Sequence, residues 1–256
     1  MHKIAIPSYA IDRALARRGR LNPFDGLDPA RTALIVVDLQ NGFMAPGQPA
    51  ETAQAREIVP NVNRLAGATR GAGGTVAWIQ NTLTPETEAS WSVWFGNFTA
   101  AEWGPPMRRA FAPGDFGHAL YPSLEVRPGD PIVRKTRFSA FIQGASDLDA
   151  VLRARGIDTL IIVGTATNVC CESTARDAMM LNYKVFFVSD ANACRTDEEH
   201  NATLAILLIM FADVRSTDEM IALLQRHAAP VAGAAEETPW LTASKPNSPP
   251  RQYCWP

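Results

Sequence analysis

No apolar run in this 256-residue chain approaches the ~18 residues that a membrane-crossing helix needs. The longest, "LAILLIMFA" from Leu204, is about half that length. The N-terminus has no apolar core of the kind a secretory leader carries, so a reducing cytoplasm is the expected compartment. Charge of one sign is also lacking: 24 basic against 26 acidic residues leave a formal net charge of −2. That gives no electrostatic reason to expect nucleic acid or an anionic membrane as partner. The one basic cluster, "RALARRGR" from Arg13 to Arg20, reads as a solvated amphipathic helix. Cysteines are few, at Cys170, Cys171, Cys194 and Cys254, and no pair has disulfide-framework or zinc-ligand spacing. No glycine-rich phosphate loop follows the first apolar strand. "GAGG" at Gly71–Gly74 falls between a helix and a strand, the wrong side for a dinucleotide site. Neither a cofactor nor a metal is expected.

What is present is an alternation of strands and helices. "ALIVV", Ala33 to Val37, is a continuous β-branched run ending in Asp38, as in a strand buried on both faces. A helix over residues 53–70 follows, with Pro60 in its first turn or marking a break, and then "TVAWIQ" as a second strand. "PIVRK" ends a short strand at Lys135. "SDLDAVLRARG" is a helix with a serine N-cap and glycine C-cap. "DTLIIVG" is a strand, residues 168–183 a helix, and "KVFFVSD" a strand. A helix over 198–211, the strand "DVRS" and a helix over 217–227 close the pattern. The fold class is α/β: a three-layer α/β/α domain with a mainly parallel, Rossmann-like sheet of about six strands. Residues 1–30 form an N-terminal arm and 31–227 the domain. The aromatic-rich excursion 81–130 is a lid or interface insertion. The Pro-rich tail 228–256 is expected to pack on a neighbouring subunit of a homodimer or homotetramer.

Ligands of open parallel sheets bind at the carboxyl ends of the strands. Three complementary groups are delivered there: Asp38, Lys135 and the pair Cys170–Cys171 in "GTATNVCCEST". Singly, each has an ordinary reading as turn residue, solvated lysine or packed thiol. Jointly they form a nucleophile, a charge and a base. A helix N-terminus and an ammonium would lower a thiol pKa, and Asp38 would take the thiol proton and return it to a leaving group. No histidine is required, and His2, His118, His200 and His227 are all placed away from that rim.

The motifs "ALIVVDLQNGF", "KTRFSAF" (135–141) and "GTATNVCCESTARDA" (164–178) resemble those of the isochorismatase-like cysteine hydrolases, in order and spacing, over roughly residues 30–225. The wording is most similar to ureidoacrylate and N-carbamoylsarcosine amidohydrolases. The resemblance implies an Asp38–Lys135–Cys170 triad with Cys170 as nucleophile, Cys171 standing where the family usually has valine. It also implies an oxyanion hole from the backbone amides of Ala166 and Cys170, with a cis peptide before Ala166. Residues 171, 175, 178 and 182 would form a small-residue seam against the sheet. The metal-binding Asp/His cluster of nicotinamidases has no counterpart in "WIQNTLTPETEAS", which argues against that activity and against a catalytic metal.

The expected substrate is a small carbamoyl, ureido or amide compound, cleaved through an acyl-enzyme; biuret-like compounds and simple carboxamides are alternatives. Candidate pocket residues are the amides Gln40, Asn41, Gln80 and Asn81 and the aromatics Phe43, Trp94, Phe95 and Phe138. Arg137 or Arg195 is the candidate receiver of a substrate carboxylate. Two other classes compete with this reading: a nucleotide-binding module, and a thiol redox sensor built on the vicinal cysteines, which would have no need of Asp38 or Lys135.

Overall fold

The computed structural model describes residues 1–228; the expectation for the tail lies outside them, apart from its first residue. The N-terminal helix α1 spans Ser8–Arg18 and ends at Gly19, which adopts the left-handed conformation. Strand β1 (Thr32–Val37) is followed by the single turn α2 (Asn41–Met44) and by α3 (Val59–Gly71). The helix expected over 53–70 is therefore divided. A short 3₁₀ turn covers Ala53–Arg56, and Pro60 sits in the first turn of α3, where its missing N–H has no intrahelical partner to lose. Strand β2 (Thr75–Asn81) leads into three short helices, α4 (Pro85–Ser90), α5 (Ser92–Asn97) and α6 (Gly104–Ala110), before β3 (Ile132–Lys135). Then follow α7 (Leu148–Arg153), β4 (Thr159–Thr165), α8 (Glu172–Met180) and β5 (Lys184–Ala193). The last elements are α9 (Asp197–Met210), β6 (Asp213–Arg215) and α10 (Thr217–Ala228). The caps of α7 differ from the expected serine and glycine: its N-cap is Asp147, with the Ser146 hydroxyl accepting from the Leu148 amide at 3.1 Å just before it, and its C-cap is Ala154, two residues before the left-handed Gly156.

All six strands are parallel, in the order β3-β2-β1-β4-β5-β6. Side-chain alternation along β1 sorts the core into two layers. Leu34 and Val36 join Trp78, Ile161 and Phe186 against α3 and α10 through Val62, Leu65, Leu223 and Leu224. Ala33, Ile35 and Val37 join Ile79, Leu160 and Phe187 on the opposite face, against Leu148, Ala175, Ala178 and Leu204 of α7, α8 and α9. The result is an α/β/α sandwich. A separate cluster, with Leu83, Phe95, Met107 and Phe111 at its centre, holds the 81–130 segment together.

The order of the strands places the first crossover reversal between β1 and β4, the point where an open sheet leaves a crevice at its carboxyl edge. Two backbone features shape that edge. Asp38 turns left-handed at φ 56°, a conformation that a short polar side chain tolerates, so the chain leaves β1 sharply. Gly164, at φ 131°, lies opposite Val37 in the β1–β4 register. A Cβ there would meet the Val37 carbonyl oxygen at 2.1 Å, so only glycine lets β4 approach this closely. Gly164→Ala is therefore expected to cost on the order of 3 kcal/mol or more in urea unfolding. Gly67→Ala on α3, where the added methyl meets nothing within 4 Å, should stabilise by roughly 0.5–1 kcal/mol.

Candidate active site

Asp38 follows β1, Lys135 ends β3, and Cys170 lies in the turn after β4. With β2 between them, β1 and β3 are about 10 Å apart, a gap that only a long side chain closes. Lysine at 135 does so: its Nζ is 2.7 Å from Asp38 Oδ2, 3.6 Å from Cys170 Sγ and 3.0 Å from the Arg137 carbonyl oxygen. Asp38 and Lys135 are fully buried and Cys170 is 5% exposed. The Asp38–Lys135 contact is a close, fully buried ion pair. The thiol neighbours both groups.

The electrostatics differ from the expectation of a standing thiolate. Burial pushes the Cys170 thiol up to about 12, and the Asp38 charge opposes ionisation further, while Lys135 pulls only partly the other way. Burial likewise raises Asp38 despite the neighbouring ammonium. Burial alone would lower Lys135, but neighbouring negative charge, chiefly Asp38, outweighs it and raises the ammonium. The resting state is thus a thiol between a carboxylate and an ammonium.

Cys170 is set by local backbone. The Thr165–Ala166 peptide is cis. Thr167–Cys171 forms a π-helical turn, closed by the Cys171 amide on the Ala166 carbonyl at 3.1 Å, before α8 begins. That turn separates the two thiols. Cys170 borders a cavity of about 280 Å³, whereas Cys171 is wholly buried against the sheet with Ala175 and Ala178. Asn182, placed with them in the sequence seam, instead lies beyond the helix end and is exposed, at φ 69°.

Of the expected pocket residues, Phe43, Asn81, Trp94, Phe138 and Arg195 border the cavity, as does Ala166. Others do not. Gln40 donates to the carbonyls of Asn81 (3.0 Å) and His118 (2.9 Å), Gln80 to His118 (2.9 Å), and Asn41 to Phe116 (2.9 Å). These three amides fix the 116–118 loop. Arg137 points away: it donates to the Ser90 carbonyl at 2.9 Å and lies 5.0 Å from the Trp91 ring, on the insertion. Phe95 packs beneath Trp91 and Trp94 in the insertion's own cluster. The cavity walls that the motifs did not indicate include Trp91, Trp103, Asn168 and Cys194. Only the aromatic richness of the insertion pointed towards the tryptophans.

The histidines need a correction. His200 is fully buried and shares a 2.9 Å hydrogen bond with the hydroxyl of Thr167, in the turn that carries Cys170. Its Nε2 donates to the Ser189 carbonyl, so Nδ1 accepts from Thr167. His2 stacks on it at 4.4 Å, accepts from the Cys194 amide and donates to Asp197. Among the described residues His2, Cys194 and His200 are the one group whose ligand atoms could surround a metal, within 4.8 Å of one another. Both imidazole lone pairs, however, already accept hydrogen bonds, so the trio is complete as a bracing network.

The chain matches the Isochorismatase domain over residues 32–219. It belongs to the isochorismatase family. It is 35% identical over 198 residues to the ureidoacrylate amidohydrolase RutB of Methylobacterium radiotolerans, a match spanning 72% of this chain and 76% of that protein. A cysteine hydrolase from Pseudomonas syringae pv. phaseolicola superposes with a TM-score of 0.70 at 29% identity, over 81% of this chain and 98% of that one. An N-carbamoylsarcosine amidase from Thermoplasma acidophilum does so with a TM-score of 0.60 at 26% identity, over 73% and 97%. The family is one of hydrolases on an α/β fold, and the sheet described above is that fold. No described helix is long and apolar enough to cross a membrane.

Burial, with the neighbouring His2 charge, lowers His200 to about 4. The unfolded imidazole takes up a proton below its ordinary pKa of about 6.5, while the folded one stays neutral until about pH 4. Stability should therefore fall as pH drops through that window, by roughly 2–3 kcal/mol from this group. Urea unfolding at pH 7 and pH 4.5 checks this: His200→Gln, which keeps hydrogen-bonding capacity without the charge, should lose correspondingly less.

Proposed function

We propose that the protein is a cysteine-dependent amidohydrolase acting on the C–N bond of a small carbamoyl, ureido or amide substrate. The observation that carries this reading is the contact of Lys135 with both Asp38 and Cys170 at the edge of the cavity. In this mechanism Asp38 removes the thiol proton as Sγ attacks the carbonyl carbon. The proton moves only during attack, because burial disfavours a free thiolate. Lys135 keeps its proton and stabilises the sulfur anion as it forms, then the charge returned to Asp38. The backbone amides of Ala166 and Cys170 are assigned the developing oxyanion; losing one such donor typically costs ~3 kcal/mol of transition-state stabilisation. Collapse of the tetrahedral intermediate breaks the C–N bond, and the proton held by Asp38 leaves with the amine or ammonia. Water, deprotonated by the same carboxylate, then attacks the thioester and frees the acid and the Cys170 thiol.

Asn81 and Asn168, both on the cavity wall, are the amides suited to orient a planar carboxamide or ureido group. Gln40 holds the Asn81 backbone from both sides, donating to its carbonyl and accepting from its amide at 2.8 Å, which leaves the Asn81 side chain to the cavity. The relatives named for ureidoacrylate and N-carbamoylsarcosine support this choice of bond. The vicinal-thiol redox reading has no comparable support, since Cys171 is fully buried and packed against the sheet.

An ammonia-release screen over ureido acids, carbamoylated amino acids, biuret-like compounds and simple amides tests the activity. Cys170→Ala should lower turnover by roughly 10⁴-fold or more. Cys171→Val should remain within about threefold of the parent, because it replaces one buried apolar group by another of similar size; the reverse result would sink the nucleophile assignment. The pH profile is a second check. Asp38 must be ionised to act, so kcat/KM should fall on acidification with a midpoint above the usual carboxylate range of about 4. No rise should accompany the pH 8–9 interval in which an ordinary thiol ionises.

A further inference from the structure

The cavity that Cys170 borders is walled chiefly by hydrocarbon. Phe43, Leu83, Trp91, Trp94, Trp103 and Phe138 line it. The rings are already packed on one another. Trp91 stacks on Trp94 at 4.7 Å and 20°, Phe138 meets Trp94 edge-on at 5.7 Å and 90°, and Trp103 meets Trp94 at 6.0 Å and 74°. The Trp103 indole N–H is anchored to the Pro49 carbonyl, 3.1 Å away. Such a wall is preformed, and a ligand entering it need not pay for ordering those side chains.

The charged groups are arranged in a complementary way. Arg137 is drawn to Ser90 and to the back of Trp91, outside the cavity lining. Arg195 and Glu199, of opposite sign, both border the cavity from exposed positions. Lys135 is engaged by Asp38, Cys170 and the Arg137 carbonyl. Gln40, Asn41 and Gln80, the amides that could have surrounded a multiply hydrogen-bonding ureido acid, are held by the 116–118 loop and the Asn81 backbone. A substrate carboxylate placed against the tryptophans would be desolvated without a buried partner. An apolar ring placed there would gain both burial and ring–ring contact.

We infer that the substrate is an uncharged amide whose non-reacting part is an aromatic or comparably bulky apolar group seated against Trp91, Trp94, Trp103 and Phe138. This rests on the amidohydrolase reading and narrows it away from small ureido acids. The polar end of such a molecule meets Asn81, Asn168 and Cys170, and its ring occupies the tryptophan wall.

The test uses the full chain and amides that differ in one feature. Release of ammonia or amine is followed for acetamide, phenylacetamide, N-benzylacetamide, anionic succinamate and cationic glycine betaine amide. The better of the two ring-bearing amides should exceed the other three in kcat/KM by roughly 100-fold or more, since a single methylene in an apolar pocket can already give about 10-fold. Trp94→Leu should collapse that ratio to about tenfold or less. Trp94→Phe, which keeps an aromatic face, should recover most of it and controls for misfolding of the insertion. Equal or better turnover of succinamate would overturn the inference in favour of an acid-recognising pocket, and of the betaine amide in favour of an aromatic cage for cations. A ratio unmoved by Trp94→Leu would overturn it too. These results leave the amidohydrolase reading intact. Binding to Cys170→Ala, read by tryptophan fluorescence, separates the two ideas. Saturation by the ring-bearing amides supports the pocket assignment and its absence overturns it, whereas the amidohydrolase reading falls only if the ureido, carbamoyl and simple-amide screen also releases no ammonia.

Discussion

An ammonium and a carboxylate with no solvent exposure at all, 2.7 Å apart, are the constraint around which this molecule is arranged. Taking either charge out of water costs several kcal/mol, and the attraction between them repays that only while both stay in place. Removing one partner would leave the other as an uncompensated buried charge. The pair therefore ties the geometry of three strands together. β3 must carry its last residue inward, and β2 must hold β3 at the right register, with Asn81 opposite Lys135. β1 must end in a left-handed turn that presents Asp38. A hydrophobic pair of similar volume would hold the sheet as well or better, so the charges are not explained by stability. The proposed mechanism accounts for them through the third member, whose sulfur lies 3.6 Å from the same ammonium.

The thiol's protonation follows from that arrangement. A cysteine at a helix start beside a lysine would ordinarily be partly ionised. Here the lysine's charge is already balanced by aspartate and the surroundings exclude water, so the proton stays on sulfur. The three groups carry one negative charge, on Asp38 or on Cys170 according to where the proton sits, and one positive charge on Lys135, so their net charge is zero in either state. Moving the proton between them redistributes charge inside the site without changing its total, the least costly proton transfer a dry environment permits. In the proposed mechanism, fixed positive charge and a mobile proton take the place of the histidine of other nucleophilic sites.

The parallel sheet, its approximate strand count and the convergence of Asp38, Lys135 and the cysteine pair were legible because they depend on local periodicity and on one topological rule. Continuous apolar runs mark doubly buried strands, and the carboxyl edge of a parallel sheet gathers whatever follows each strand. Gln40, Asn41, Gln80 and Arg137 were misread for the opposite reason. Gln40 and Asn41 sit close in sequence to Asp38, Arg137 to Lys135, and Gln80 at the end of β2, yet the direction of each is decided by a distant partner: the 116–118 loop for the amides, Ser90 for the arginine. His2 and His200 illustrate the same limit. They are 198 positions apart, and only the docking of the N-terminal arm on α9, with Asn201 bonding Lys3 and Ala5, stacks them behind the nucleophile's turn. The preference of Cys170 over Cys171 for the cavity rests on a π-helical turn, a local insertion that hydrophobic periodicity does not register.

The two parts of the site obey different physical rules, and the fold keeps them apart. The triad is fixed by the sheet's two large cores, so changes there propagate into strand register. The aromatic wall belongs to a satellite cluster centred on Leu83, Phe95, Met107 and Phe111, which packs largely within itself between β2 and β3. Substituting a ring in that cluster alters the shape and polarity offered to a ligand without moving Asp38, Lys135 or Gly164. Phe138 joins the domains of control: it lies three residues beyond Lys135 and packs against both Trp91 and Trp94. Arg137, beside it, bonds the end of α4 from the same segment. The chain that delivers the ammonium thus also contacts the insertion. The aromatic wall and the buried ion pair therefore meet in one short segment, in which Lys135 faces Asp38 while Arg137 and Phe138 touch the insertion.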